Sequence, residues 1–134
     1  MDPEAFARAV ELADNLGYIL VASADEDGQP HVAAARSVQA TDQDHVTIES
    51  WFCPSTLENV DANPRVSLIA WDPTTDRGYQ MTGTVENIVN KAVMDGYGPD
   101  IKLDTPLPQA DYQLIVRVKE ILEFTHEPHQ DISL

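Results

Sequence analysis

Two imidazoles three residues apart, His126 and His129, with Asp131 close behind, are side chains of the types that bind a metal. Holding such a pair takes a rigid element, and Pro128 falls between them in what reads as a terminal tail, which argues against a fixed site. Asp25-Glu26-Asp27-Gly28 has the acidic look of a calcium loop. With Gly28 as the loop's sixth residue, Ser23 and Ala34 take the first and last positions, so the first ligand and the bidentate one are both missing. A hairpin turn accounts for the segment better. Gly96-Tyr97-Gly98-Pro99 does not open a helix after a strand and is no dinucleotide fingerprint. Cys53 has no histidine or cation near it in sequence and reads as a packed thiol rather than a nucleophile. As the single cysteine it excludes an intrachain disulfide and any zinc site needing two thiolates. There is no G-x-S-x-G elbow. These side chains describe no enzyme that does its chemistry unaided, and a chain of this kind can take its reactivity from a cofactor.

Charge narrows the partners. Eight Lys and Arg stand against 23 Asp and Glu, a formal charge of −15. Neutralising phosphates along a nucleic acid takes clustered cations, and Arg8, Arg36, Arg65, Lys91 and Lys119 are scattered singly. Nucleic acid and an anionic membrane surface are therefore poor partners. With 134 residues, 43% of them apolar, the chain suits one domain with one core. No apolar run approaches the ~20 residues a membrane helix needs, and the acidic start Met1-Asp2-Pro3-Glu4 lacks a secretory signal's features. The expectation is a cytoplasmic, single-domain protein spanning 1–134.

The elements that must position any site follow from period and punctuation. Pro3 to Leu16 predicts a helix, with Asp2 as cap, Phe6, Val10, Ala13 and Leu16 on one face, and Gly17 as stop. Strands are expected at Tyr18 to Ser23, His31 to Val38, His45 to Phe52, Arg65 to Trp71, Tyr79 to Val89 and Asp111 to Phe124. Asp25 to Gln29 and Thr41 to Asp44 read as turns, and Gly83 as a bulge. Pro54 to Asn63 switches to a helical period, with Ser55 or Thr56 as cap and Glu58 as its box partner. Asn90 to Tyr97 suggests a short helix, Gly98 to Ala110 an irregular excursion, and Thr125 to Leu134 a loose tail. Links this short cannot carry parallel crossovers. The fold class is mainly β with peripheral helices: an N-terminal helix at 1–16, a six-stranded antiparallel barrel at 18–124, and a tail at 125–134.

Several segments, in order, carry a resemblance. Tyr18-Ile-Leu-Val-Ala-Ser23 is followed by Asp27-Gly-Gln-Pro-His31, and Ser55 to Leu68 ends in Asn63-Pro-Arg-Val-Ser-Leu68. Tyr79-Gln-Met-Thr-Gly-Thr-Val-Glu86 comes next. This succession resembles the pyridoxamine 5′-phosphate oxidase-like FMN-binding split-barrel family over about half of the chain. The last 45 residues match it only through a closing strand.

The resemblance implies a homodimer of split barrels with FMN sites at the subunit interface, and a small oxidoreductase or electron carrier. Carried over position by position, it implies cofactor contacts from Ala35, Arg36 and Ser37, from Ser50 and Trp51, and from Ser55 and Thr56. A helix starting near Thr56 independently offers free N–H groups and a positive dipole end to a phosphate. Many members carry a lysine just before this helix where this chain has Ser55, and the plain alternative is a helix cap with Arg36 as a surface cation. Oxidation of vitamin B6 in the family uses basic residues in the C-terminal part, and the tail from Phe124 to Leu134 has no arginine. Two other readings stay open: a deazaflavin- or haem-associated protein of the same fold, and a cofactor-free dimer acting as a binding module.

Overall fold

A computed structural model describes residues 1–52, 54–90 and 110–134. Its elements run α1 (Pro3–Leu16), β1 (Ile19–Ala24), β2 (Pro30–Ala35), β3 (Ser37–Ala40), β4 (His45–Phe52), α2 (Pro54–Ala62), β5 (Arg65–Asp72), β6 (Arg77–Asn90) and β7 (Ala110–Glu123). All strand pairs are antiparallel, in the order β2-β1-β5-β6-β7-β4-β3. The sheet curls until β2 approaches β4, giving an open barrel around one core.

The sheet has seven strands where the sequence suggested six, because the expected strand from His31 to Val38 breaks at Arg36. Residues up to Ala35 pair with β1, and from Ser37 onward the chain pairs with β4. One continuous alternation of side chains is thus shared between the two ends of the sheet. The expected helix from Asn90 and the excursion up to Ala110 lie outside the described residues, apart from Asn90, which closes β6, and Ala110, which opens β7.

Local chemistry sets the ends of α1. Asp2 accepts the Glu4 backbone N–H at 3.1 Å, Pro3 opens the helix, and Gly17 closes it at φ 80°, where a side chain would be strained. Ala5, Phe6, Ala9 and Ala13 are buried, while Val10 and Leu16 pack at the core's margin. The three alanines let the helix lie close to β3, β5 and β6. Asp25 does turn chemistry rather than metal binding: its Oδ1 accepts the Asp27 and Gln29 N–H groups at 2.9 and 2.8 Å. Helix α2 starts at Pro54, so Ser55 and Thr56 sit inside its first turn instead of capping it.

Two bulges shape the β6–β7 ribbon, one between Thr82 and Gly83 and one between Val85 and Asn87. The first leaves Lys119 as the extra residue of β7, and the second leaves Glu86 as the extra residue of β6. Gly83 is required at the first, because a Cβ there would drive into the Arg117 carbonyl oxygen and within 3.1 Å of the Val118 Cα. Gly83→Val should therefore destabilise the fold by about 1–3 kcal/mol or more, read as a lower denaturant midpoint; an unchanged midpoint would contradict the close approach.

Glu86 is held by His45. The imidazole Nε2 lies 2.6 Å from Glu86 Oε1, and Nδ1 lies 2.9 Å from Asp42 Oδ1 and 2.8 Å from Asp44 Oδ1. Arg117 Nε donates to the other Glu86 oxygen at 3.0 Å. Carboxylates only accept, so both ring nitrogens must carry protons and His45 is an imidazolium. The Glu86 hydrogen bond first, then that of Asp42, raises the His45 pKa above its ordinary 6.5. Backbone N–H donation from Asp44 and the His45 hydrogen bond lower that of Asp42 to about 2. A raised histidine pKa contributes stability in full below its unfolded value and loses it as pH climbs through the folded one. Wild type should thus lose thermal stability from near neutral into alkaline pH, and His45→Gln should flatten that decline. A variant that keeps the full alkaline slope would assign the titration elsewhere.

Candidate functional site

The partner switch at Arg36 brings most of the sequence-selected residues to one seam. Ala35 ends β2 fully buried, so it offers only backbone. Arg36 stands at the break with a half-exposed side chain, its Nη2 3.5 Å from Glu49 Oε1. Ser37 opens β3 directly opposite Glu49. Ser50 and Trp51 follow Glu49 on β4, their backbones paired with Tyr112 and Asp111 of β7. The chain then enters α2, which packs on β1 and β2.

Within α2, Ser55 and Thr56 part company. Ser55 is exposed in the first turn, whereas Thr56 is fully buried with Oγ1 3.4 Å from His31 Nδ1 on β2. One turn on, the buried Asn59 donates Nδ2 to Ser23 Oγ of β1 at 3.2 Å. Buried polar contacts, and not only the apolar Leu57 and Val60, therefore fix α2 against the barrel. With nine residues, α2 carries a partial positive charge at its start. Arg36 and Ser37 thus neighbour Glu49 at the β2–β3 break, and Ser55 lies in the first turn of α2, three residues after β4 ends. This donor set suits a phosphate, and Arg36 can exchange a half-exposed ion pair worth at most about 1 kcal/mol for a charge-assisted phosphate contact.

Sequence reasoning missed His31, Glu49 and Asn59. His31 was read only as the end of the Asp27-to-His31 motif and the start of a strand, and Glu49 was not singled out. For Glu49 the available signal was its alternation with the buried Val46 and Ile48 on β4, which does not say which strand lies alongside.

The outer face of the sheet carries a second feature. Tyr18, Leu20, Ile69, Trp71 and Phe124 surround a largely apolar cavity of about 530 Å³, with Thr125 and His126 at its rim. Trp71 meets Phe124 edge-on at 6.1 Å. The tail forming the rim is anchored, contrary to the loose tail expected. Asp76 Oδ1 accepts the Trp71 indole N–H at 2.9 Å and the His126 N–H at 2.7 Å, and Oδ2 accepts the Glu127 N–H at 3.0 Å. The chain end adds a bond from the Leu134 N–H to the Ile121 carbonyl at 2.8 Å. The His126 N–H, then the Trp71 indole, hold the Asp76 carboxyl below its ordinary value. Asp76 takes a positive φ of 51°, a conformation aspartate tolerates better than most residues. His129 lies 3.4 Å from Asp131 and 3.0 Å from Thr125 Oγ1, local contacts that serve the tail. Asp42, Asp44 and His45 gather ligand atoms within 4.8 Å, but these atoms already hold one another.

Comparisons with known proteins agree with this architecture. Over 70 residues the chain is 37% identical to an uncharacterized protein of Methanocaldococcus jannaschii, which takes in 51% of this chain and 46% of that protein. The chain thus spans about half the length of that relative. An FMN-binding protein from Syntrophomonas wolfei superposes with a TM-score of 0.69 at 15% identity, covering 97% of this chain and 91% of the other. An F420 reductase superposes at 0.56 with 23% identity, covering 78% and 87%. At such identities the superpositions establish the fold. A family model described as pyridoxamine 5′-phosphate oxidase matches residues 6–116, from α1 into β7, and the chain belongs to that family.

Proposed function

We propose that this chain is an FMN-binding flavoprotein that works as a homodimer, a small oxidoreductase or electron carrier. The observation carrying the reading is the break at Arg36, where Arg36 pairs with Glu49, Ser37 lies opposite that residue, and β4 leads on to Ser55 in the first turn of α2. The family membership and the FMN-binding relative support it. FMN, when bound, supplies the redox chemistry. Arg36 holds the phosphate in this reading, with Ser37 and Ser55 donating from either side of the seam. Ala35, Ser50, Trp51 and Thr56 contribute backbone positions, the first three along strands that are rigid through their ladders. Glu49 tunes the pocket by competing for the guanidinium.

The homodimer rests on the outer face. Tyr18 is 38% exposed on the rim of the apolar cavity, and Leu20, Ile69 and Trp71 are only half-buried there. A second copy seated on this face removes that surface from water, on the order of 2,000 Å² for an obligate pair. Vitamin B6 oxidation does not fit, because the tail from Thr125 to Leu134 offers no arginine for a substrate phosphate. A deazaflavin is the second reading, favoured by the fold shared with an F420 reductase. The absorbance of cofactor released by acid from purified protein separates FMN from F420 directly.

Two outcomes test the leading reading. Arg36→Ala should weaken FMN binding by roughly 1.5–3 kcal/mol, Glu49→Gln should tighten it, and riboflavin binding should respond little to either. Equal losses for FMN and riboflavin would give Arg36 a packing role instead. Light scattering at micromolar concentration should return twice the chain mass, and a monomer mass would sink the dimer.

A further inference from the structure

We infer that His31 is a positioning residue for the flavin phosphate, holding the first turn of α2 through Thr56. The inference rests on the flavin reading above and adds to it a residue that acts through another rather than by touching the cofactor. Ser23 of β1 and His31 of β2 lie directly opposite each other in the ladder. Burial alternates along β2, with Val32 58% exposed and His31 and Ala33 half-buried, so the imidazole stands on the face away from Val32. Helix α2 packs on β1 and β2. The Ser23–His31 pair there meets two helix positions three residues apart, which fall on one side of a helix. His31 Nδ1 lies 3.4 Å from Thr56 Oγ1, and Asn59 Nδ2 donates to Ser23 Oγ at 3.2 Å. Both contacts are shut away from water on the helix side, where Thr56 is fully buried and Asn59 only 9% exposed.

This arrangement fixes the rotation of the helix. Strands β4 and β5 hold the two ends of α2, and the apolar Leu57 and Val60 draw it onto the sheet. Apolar burial is non-directional, whereas a hydrogen bond weakens steeply as it bends, so the two polar contacts decide which way the helix faces. Ser23 holds the second turn. His31 holds the first, where Ser55 is exposed next to Thr56 and the helix dipole is positive. A side-chain tip stands ~5 Å from a helix axis, so a rotation of ~10° displaces it by about 1 Å. A binding group has to be held within about 0.5 Å of its productive place. Loss of the first-turn contact therefore spoils the aim of the Ser55 hydroxyl at an anion while leaving the core packed. A threonine hydroxyl both donates and accepts, so the contact persists whether or not the ring carries a second proton.

Hydrogen exchange of the full chain without flavin, and titrations with FMN and riboflavin, test the role. His31→Ala should speed exchange of the α2 amides from Glu58 to Ala62 while α1 keeps its protection, which shows that the barrel stays folded. FMN affinity should fall about tenfold, the scale of one lost hydrogen bond, and riboflavin affinity by less than about twofold. His31→Asn, whose side-chain amide reaches the place of Nδ1, should restore both the slow exchange and the FMN affinity. Unchanged α2 exchange in His31→Ala overturns the role, and so do equal losses for the two flavins, which a loosened fold would give. A wild-type advantage over His31→Asn that fades between about pH 5 and 8 overturns it too, because an imidazolium would then be touching the phosphate itself. A wild type that binds neither flavin refutes the flavin reading instead, and α2 exchange then decides for or against His31 on its own.

Discussion

The change of hydrogen-bonding partner at Arg36 is the constraint on which the rest of the structure depends. Up to Ala35 the chain is tied to β1, and one residue later to β4. A flat sheet cannot satisfy both, since β2 and β3 then stand at opposite edges of the strand order. The sheet must curl until its edges meet, and strand twist accumulating over seven strands makes that curl accessible. The cavity inside is filled by Ile19, Val21, Ile48, Leu68, Met81, Leu114, Val116 and Ile121, all fully buried. Edge strand β2 approaches β4, and α2 packs on β1 and β2, which limits the exposure of that edge to further strand pairing.

Curl has a second consequence in the β6–β7 ribbon. Two 14-residue strands cannot stay in simple register around a closing barrel, and the mismatch is released at two bulges. Each ejects one charged residue from the ladder. Glu86 is taken up by His45 and Arg117, which fastens the turn between β3 and β4 across β7. Lys119 is turned onto the outer face, where it is exposed and makes no ion pair among the described residues. The same geometric relief therefore yields a structural clasp at one site and an open cation at the other.

The sequence was most legible where local chemistry decides conformation. Asp2, Pro3 and Gly17 place both ends of α1, the carboxylate of Asp25 fixes its turn, and Gly83 marks the bulge it occupies. The break at Arg36 was not legible, because residues 31 to 38 keep one alternation while their partner changes, and alternation carries no information about partners. The tail was misread for a related reason. His126 and Glu127 are held through their backbone N–H groups by Asp76, fifty residues away, and backbone donors leave no trace in residue type. Within the candidate site, Arg36 and Ser55 could be selected by residue type and position. The burial of Thr56 against His31 could not, since helix phase alone does not say which strand lies beneath.

Acidity sharpens the meaning of each remaining cation. In a chain at −15, a Lys or Arg placed next to an acid relieves repulsion among carboxylates, and Arg36 and Arg117 are so placed. Arg36 can still serve an anion, because its pair with Glu49 is half-exposed and 3.5 Å long, and water and salt screen such a pair. Among the described residues Arg8, Arg65, Arg77 and Lys119 make no ion pair, so a missing carboxylate does not by itself single out a cation. What sets Arg36 apart is therefore its place at the break between β2 and β3, beside Ser37, where an anion can take over from the Glu49 carboxylate.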